Sequence, residues 1–139
     1  MSATGVADAA IGAMGSADAP DFICLNFANP DMVGHTGVFE AVVAACEATD
    51  GQLGRVLEAG AEAGYRFVVI ADHGNAELAR NVDGSPHTAH TTNLVPVVVV
   101  EPDGRAVRDG ILADVAPTIL ALMGIDIPAQ MGGTPLVLD

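Results

Sequence analysis

Apolar positions along this chain change their period several times, and each change marks a new element. From about Ser2 to Met14 the run of small residues predicts a helix that Ser2 or Thr4 can cap. Asp21 to Phe27 (DFICLNF) is a short apolar run closed by Asn and Pro, which predicts a buried strand followed by a turn. From Thr36 to Gly64, residues Phe39, Val42, Val43, Cys46, Leu53, Val56 and Leu57 recur at spacings of three, four and seven, forming one apolar helical face. Gly51 and Gly54 weaken its middle, so two consecutive helices fit the pattern as well as one long one.

Arg66 to Ala71 (RFVVIA) predicts a second strand, a continuous apolar run of the kind found in parallel sheets covered on both faces. Residues 74 to 93 hold Gly, Asn, Ser and Pro with no sustained period and read as a loop; loops this long inside compact domains usually carry function. Val95 to Glu101 (VPVVVVE) is the third strand, and after the turn Glu101-Pro102-Asp103-Gly104 a short extended piece is expected near Ala106. Asp114 can cap a last helix from about Val115 to Met123, which Gly124 ends. Strands alternating with helices indicate an α/β sheet.

Charge excludes one class of partner. The chain has 139 residues, with 18 acids against five arginines and no lysine, for a formal net charge of −13. A nucleic-acid partner requires a basic stripe, and none exists. No apolar run approaches the roughly 20 residues that span a bilayer, and no basic n-region precedes an apolar segment, so a soluble cytoplasmic protein without a membrane partner is expected. Cys24 and Cys46 lie in apolar surroundings and read as two buried free thiols, since no CxxC spacing favours a disulfide or a metal.

The chemistry gathers in three blocks, each at or soon after the end of an apolar run: Asn29-Pro30-Asp31-Met32-Val33-Gly34-His35, Asp72-His73-Gly74-Asn75, and His87-Thr88-Ala89-His90-Thr91. Such strand ends are where open α/β sheets place their ligands. If the first block is helical, Asp31 and His35 share a face and can grip one ion; otherwise Asp31 is a helix cap. Asp72 and His73 diverge at a strand end, and serve either two ions or a loop. A three-residue step between His87 and His90 is poor for one ion, so one is the ligand, and His87, following Pro86, looks the more solvated. The hydroxyls of Thr88, Thr91 and Thr92 are expected to cap or bond backbone. Taken together, mixed Asp/His sets suit Mn²⁺ or Zn²⁺ better than Mg²⁺. A cation pair about 3.5–4 Å apart would clamp the attacking and leaving oxygens of a phosphoryl transfer.

Asn26 to Gly37 (NFANPDMVGHTG), Ala71 to Glu77 (ADHGNAE) and Pro86 to Asn93 (PHTAHTTN) closely resemble the cofactor-independent phosphoglycerate mutases of the alkaline phosphatase superfamily. Asp114 to Thr118, Gly124-Ile125 and Met131-Gly132-Gly133 look like that superfamily's final helix and turn. The resemblance implies an α/β fold: a three-layer alkaline-phosphatase-like sheet with helices on both faces, here a partial domain. Residues 1–139 would be the C-terminal portion of the metal-binding phosphatase-like domain, with the family's N-terminal segment and substrate domain absent. It implies two Mn²⁺, with Zn²⁺ or Co²⁺ as alternatives, one held by Asp31, His35 and His90 and the other in part by Asp72 and His73. The family interconverts 3-phosphoglycerate and 2-phosphoglycerate in glycolysis through a phosphoserine intermediate. Ser2, Ser16 and Ser85 do not stand in the family's nucleophile context, and Leu94 replaces its usual proline. No catalytic residue is therefore expected in this chain, which would bind metal yet lack turnover alone. Two other readings are a stand-alone metal-dependent phosphohydrolase and a non-catalytic metal-binding or assembly module. The last would self-associate or pair with the missing N-terminal part.

Overall fold

The computed structural model describes residues 2–138, which fold as two compact units, residues 2–64 with 73–94 and residues 65–72 with 95–138. In the first unit α1 spans Ala3–Met14, and the Ser2 hydroxyl accepts from the Gly5 N–H at 3.2 Å, as expected of its cap. Ala3, Ala7, Ala10 and Met14 are buried, a stripe at spacings of four and three. Helix α2 is a short Asn29–Gly34 turn, and α3 runs unbroken from Phe39 to Glu62. Gly51 and Gly54 do not split it: each costs only about 1 kcal/mol in a helix interior, and Val42, Ala45, Val56 and Gly60 are buried on either side of them. Helix α1 packs on α3, with Arg55 paired to Asp8 at 2.8 Å.

The segment Asp21–Phe27 departs from expectation. Its exposure alternates, with Ile23, Leu25 and Phe27 half-buried and Phe22, Cys24 and Asn26 exposed, so the backbone is extended. Among the described residues, however, it is part of no strand pair. Apolar alternation reports which side chains pack; it does not supply a ladder partner. The same alternation places Cys24 on the exposed side, whereas Cys46 is half-buried, correcting the expectation of two buried thiols; both are free.

In the second unit β1 (Phe67–Ile70) and β2 (Val97–Val100) pair in register Phe67↔Val100 through Ile70↔Val97. The pairing is antiparallel, against the parallel arrangement that the continuous apolar run suggested. β-Branched residues fit either ladder, so composition does not report strand direction. Val97 and Val99 are half-buried while Val98 and Val100 are exposed. Among the described residues three helices precede the two strands, so the expected strand–helix alternation is not realised; helix and sheet are both present, with the described sheet limited to these two strands.

Helix α4 occupies Val115–Met123 and stops at Gly124, whose backbone is left-handed (φ 69°). Asp114 does not cap α4 through its side chain. Its carboxylate accepts instead from the Ile111 N–H at 3.0 Å and the Thr134 N–H at 2.8 Å. These backbone bonds, with Arg108 nearby, hold the buried carboxyl below the usual range. The tail returns here: Arg108 N–H bonds the Leu136 carbonyl at 2.9 Å, and Leu138 N–H the Ala106 carbonyl at 2.9 Å, realising the extended piece near Ala106. Fully buried Thr118 donates to the Asp114 carbonyl at 2.7 Å and accepts from the Leu136 N–H at 2.8 Å. Thr118→Val keeps the volume but strands a buried N–H, so it should cost about 1–3 kcal/mol. A lower urea midpoint at constant slope would register this loss; an unchanged midpoint would refute it.

Candidate metal centre

Pro30 stands in the first turn of α2, where its missing N–H costs nothing. The turn it starts puts Asp31 and His35 four residues apart on one face, so the helical alternative for the first block is the observed one. Asp31 Oδ1 lies 3.3 Å from His35 Nε2 and 3.0 Å from His90 Nε2, and the two imidazole nitrogens are 3.1 Å apart. These three residues form one cluster whose ligand atoms all lie within 4.8 Å of one another.

The tautomer follows from the contacts. His35 Nδ1 is 2.7 Å from the Thr88 carbonyl oxygen, which can only accept, so Nδ1 carries the proton and Nε2 presents a lone pair. That lone pair faces a carboxylate oxygen and a second imidazole nitrogen. With His90 Nε2 likewise presenting its lone pair, the three atoms would form a group of acceptors that suits a shared cation. Ligand atoms about 2.0–2.2 Å from one ion sit about 3.0–3.5 Å from each other, and the three separations here are 3.0–3.3 Å. The donor set therefore fits a divalent ion that accepts both imidazole and carboxylate.

His90 rides on the long loop, and its hold is built from both ends. The Thr88 carbonyl is tied to His35, and the Thr91 N–H bonds the Gly74 carbonyl at 2.8 Å. Glu77, in a 3₁₀ turn over Ala76–Leu78, accepts from the Thr91 hydroxyl, from Asn93 Nδ2 at 2.9 Å and from the Asn75 N–H at 2.7 Å. The Thr91 hydroxyl, followed by Asn93 and the backbone donors, pulls the Glu77 carboxyl down to about 2, so it stays ionised. Thr91 thus bonds a side chain as well as the Asn93 N–H at 3.3 Å. Behind Asp31, buried Asn75 donates from Nδ2 to Oδ1 at 2.8 Å.

His73 joins the cluster, its ring stacked on His90 with centroids 3.8 Å apart. Asp72, the residue before it, is exposed, follows β1 closely and belongs to the second unit. His87 is not the more solvated of the two imidazoles, against expectation: it is half-buried with Nδ1 enclosed and unpartnered, whereas the His90 side chain is 49% exposed. A backbone bond from His87 N–H to the Ala79 carbonyl at 3.0 Å draws it back against the turn. Reach to Asp31, not exposure, separates the two imidazoles.

The chain belongs to the Metalloenzyme superfamily, whose family model matches residues 1–127. Curated relatives that are 51–62% identical to it are named 2,3-bisphosphoglycerate-independent phosphoglycerate mutase. It is 62% identical to that of Salinibacter ruber over 115 residues and 56% identical to that of Natronomonas pharaonis over 142 residues. These alignments cover 81% and 99% of this chain but 22% and 28% of the relatives. A crystal structure of Leishmania mexicana phosphoglycerate mutase at low cobalt concentration matches 99% of this chain and 28% of its own, with TM-score 0.85 and 30% identity. The chain thus spans about a quarter of the length of the mutases it matches.

Proposed function

We propose that this chain forms the cation-binding part of a phosphoglycerate mutase that interconverts 3-phosphoglycerate and 2-phosphoglycerate in glycolysis, in the cytoplasm. The Asp31/His35/His90 cluster carries this reading, and the likeness to named mutases supports the substrate. One Mn²⁺ would be held by Asp31, His35 and His90, and a second in part by Asp72 and His73. When bound, such cations supply charge to activate a nucleophile and to stabilise a transferring phosphoryl group. Of the chain's own residues, Asp31 brings the negative charge that draws a cation in. His35 is aimed by the Thr88 carbonyl, and His90 is carried on a pinned loop.

The nucleophile is assigned outside this chain. Ser2 is spent on the Gly5 N–H, the Ser16 hydroxyl on the Ala13 carbonyl and the Ser85 hydroxyl on Asp83. None is within two residues of the cluster's ligands in sequence, and each serves a local turn or cap. In an enolase-coupled assay with Mn²⁺ the purified chain should convert no 3-phosphoglycerate, while calorimetry of the same sample detects Mn²⁺ binding. Turnover by the chain alone would overturn the assignment of the nucleophile, and absence of Mn²⁺ binding would overturn the cation site.

A further inference from the structure

We propose that Asn75 and Glu77 are positioning residues of the cation site: Asn75 sets the Asp31 carboxylate, and Glu77 holds the loop that delivers His90. The inference rests on the cation reading of Asp31, His35 and His90. Its first support is which oxygen Asn75 touches. Asp31 Oδ1 accepts from Asn75 Nδ2 at 2.8 Å, and that same oxygen stands 3.0 and 3.3 Å from the two imidazole Nε2 atoms. With one lone pair committed to the amide, the other has a fixed direction, toward the imidazoles. Asn75 is only 6% exposed, so water does not compete for that bond.

The second support is the space left for the amide. A Cβ on Gly34 would lie 2.0 Å from Asn75 Oδ1, so α2 accommodates Asn75 only because position 34 lacks a side chain. Third, Glu77 joins the two halves of the arrangement. It accepts the Asn75 N–H on one carboxylate oxygen, and the Thr91 hydroxyl and Asn93 amide on the other. His90 therefore sits between a carbonyl at 88 tied to His35 and side chains at 91 and 93 tied to Glu77. Ligand-orienting partners of this type typically change metal affinity 10–100-fold when removed.

Mn²⁺ titration calorimetry on the chain and its variants tests this, with far-UV circular dichroism reporting the helices. Asn75→Ala should weaken Mn²⁺ binding about 10–100-fold and Glu77→Ala about tenfold. Glu77→Gln should fall between wild type and alanine, since its carbonyl can accept from Thr91 but its NH₂ cannot accept from the Asn75 N–H. Should a variant not fold, the wild-type side-chain amide resonances of Asn75 provide the reading. They should shift as diamagnetic Zn²⁺ is added, because their acceptor becomes a metal ligand. Wild-type affinity in folded Asn75→Ala and Glu77→Ala, or unmoved Asn75 resonances at saturating Zn²⁺, would overturn the inference. A wild-type chain that binds neither ion would overturn the cation reading instead, a result plainly distinguishable from the first.

Discussion

Replacing Asp31 by alanine should weaken Mn²⁺ binding by more than about 100-fold, the upper end of what losing an orienting partner does. That factor is about 2.7 kcal/mol. Three groups converge on the site, and of these Asp31 is the one that brings a negative charge, since an imidazole ligates as the neutral ring. Removing it leaves two neutral imidazoles and an unused amide donor from Asn75, aimed at the position the cation would share. His35→Ala and His90→Ala should each fall in the same range, since either leaves two of the three ligands. Glu40→Gln is the matching control, because that carboxylate is exposed and pairs at 3.8 Å with Arg80, away from the cluster. Titration calorimetry reads all four variants, and an Asp31→Ala affinity within about threefold of wild type would remove Asp31 from the ligand set.

Gly34→Ala should be strongly destabilising to the first unit. The new Cβ would stand 2.0 Å from Asn75 Oδ1 and 2.8 Å from its Cγ, far inside contact distance, against a buried side chain. Overpacking costs about 1–3 kcal/mol, and losing a hydrogen bond to a charged group about 1.5–3 kcal/mol. Together the loss should be about 3–5 kcal/mol by urea denaturation. The sign is expected to reverse in an Asn75→Ala background. With the amide gone the methyl has room, and alanine favours a helix over glycine by about 0.5–1 kcal/mol. The double-mutant cycle thus predicts strong coupling between positions 34 and 75. Additive costs would mean that Gly34 is needed for some reason other than Asn75.

The helices were legible because their apolar period is local: α1 lies where the pattern and its Ser2 cap put it, α4 where the pattern and the Gly124 stop put it, and α3 runs through its two glycines. Strand direction and pairing were not, since Phe67–Ile70 and Val97–Val100 meet across about thirty residues that apolar period does not describe. The candidate ligands Asp31 and His35 could be singled out because a four-residue step puts them on one face of a turn, and His90 because the motif resemblance adds it. Asn75 and Glu77 stand in the same Ala71–Glu77 block yet escaped notice. Their role is to donate or accept behind the ligands, and nothing in residue spacing marks that. Residue spacing left His87 and His90 open and the resemblance named His90; His87, expected to be the more solvated, is half-buried, and the exposed His90 is the ring that reaches Asp31.

Anomalous diffraction from crystals of the chain grown with Mn²⁺, recorded at the manganese edge, bears most directly on the site. A peak should appear at about 2.0–2.2 Å from an Asp31 carboxylate oxygen and from Nε2 of both His35 and His90. Manganese bound elsewhere while this position stays empty would show that the three side chains gather for packing alone, and would contradict the account.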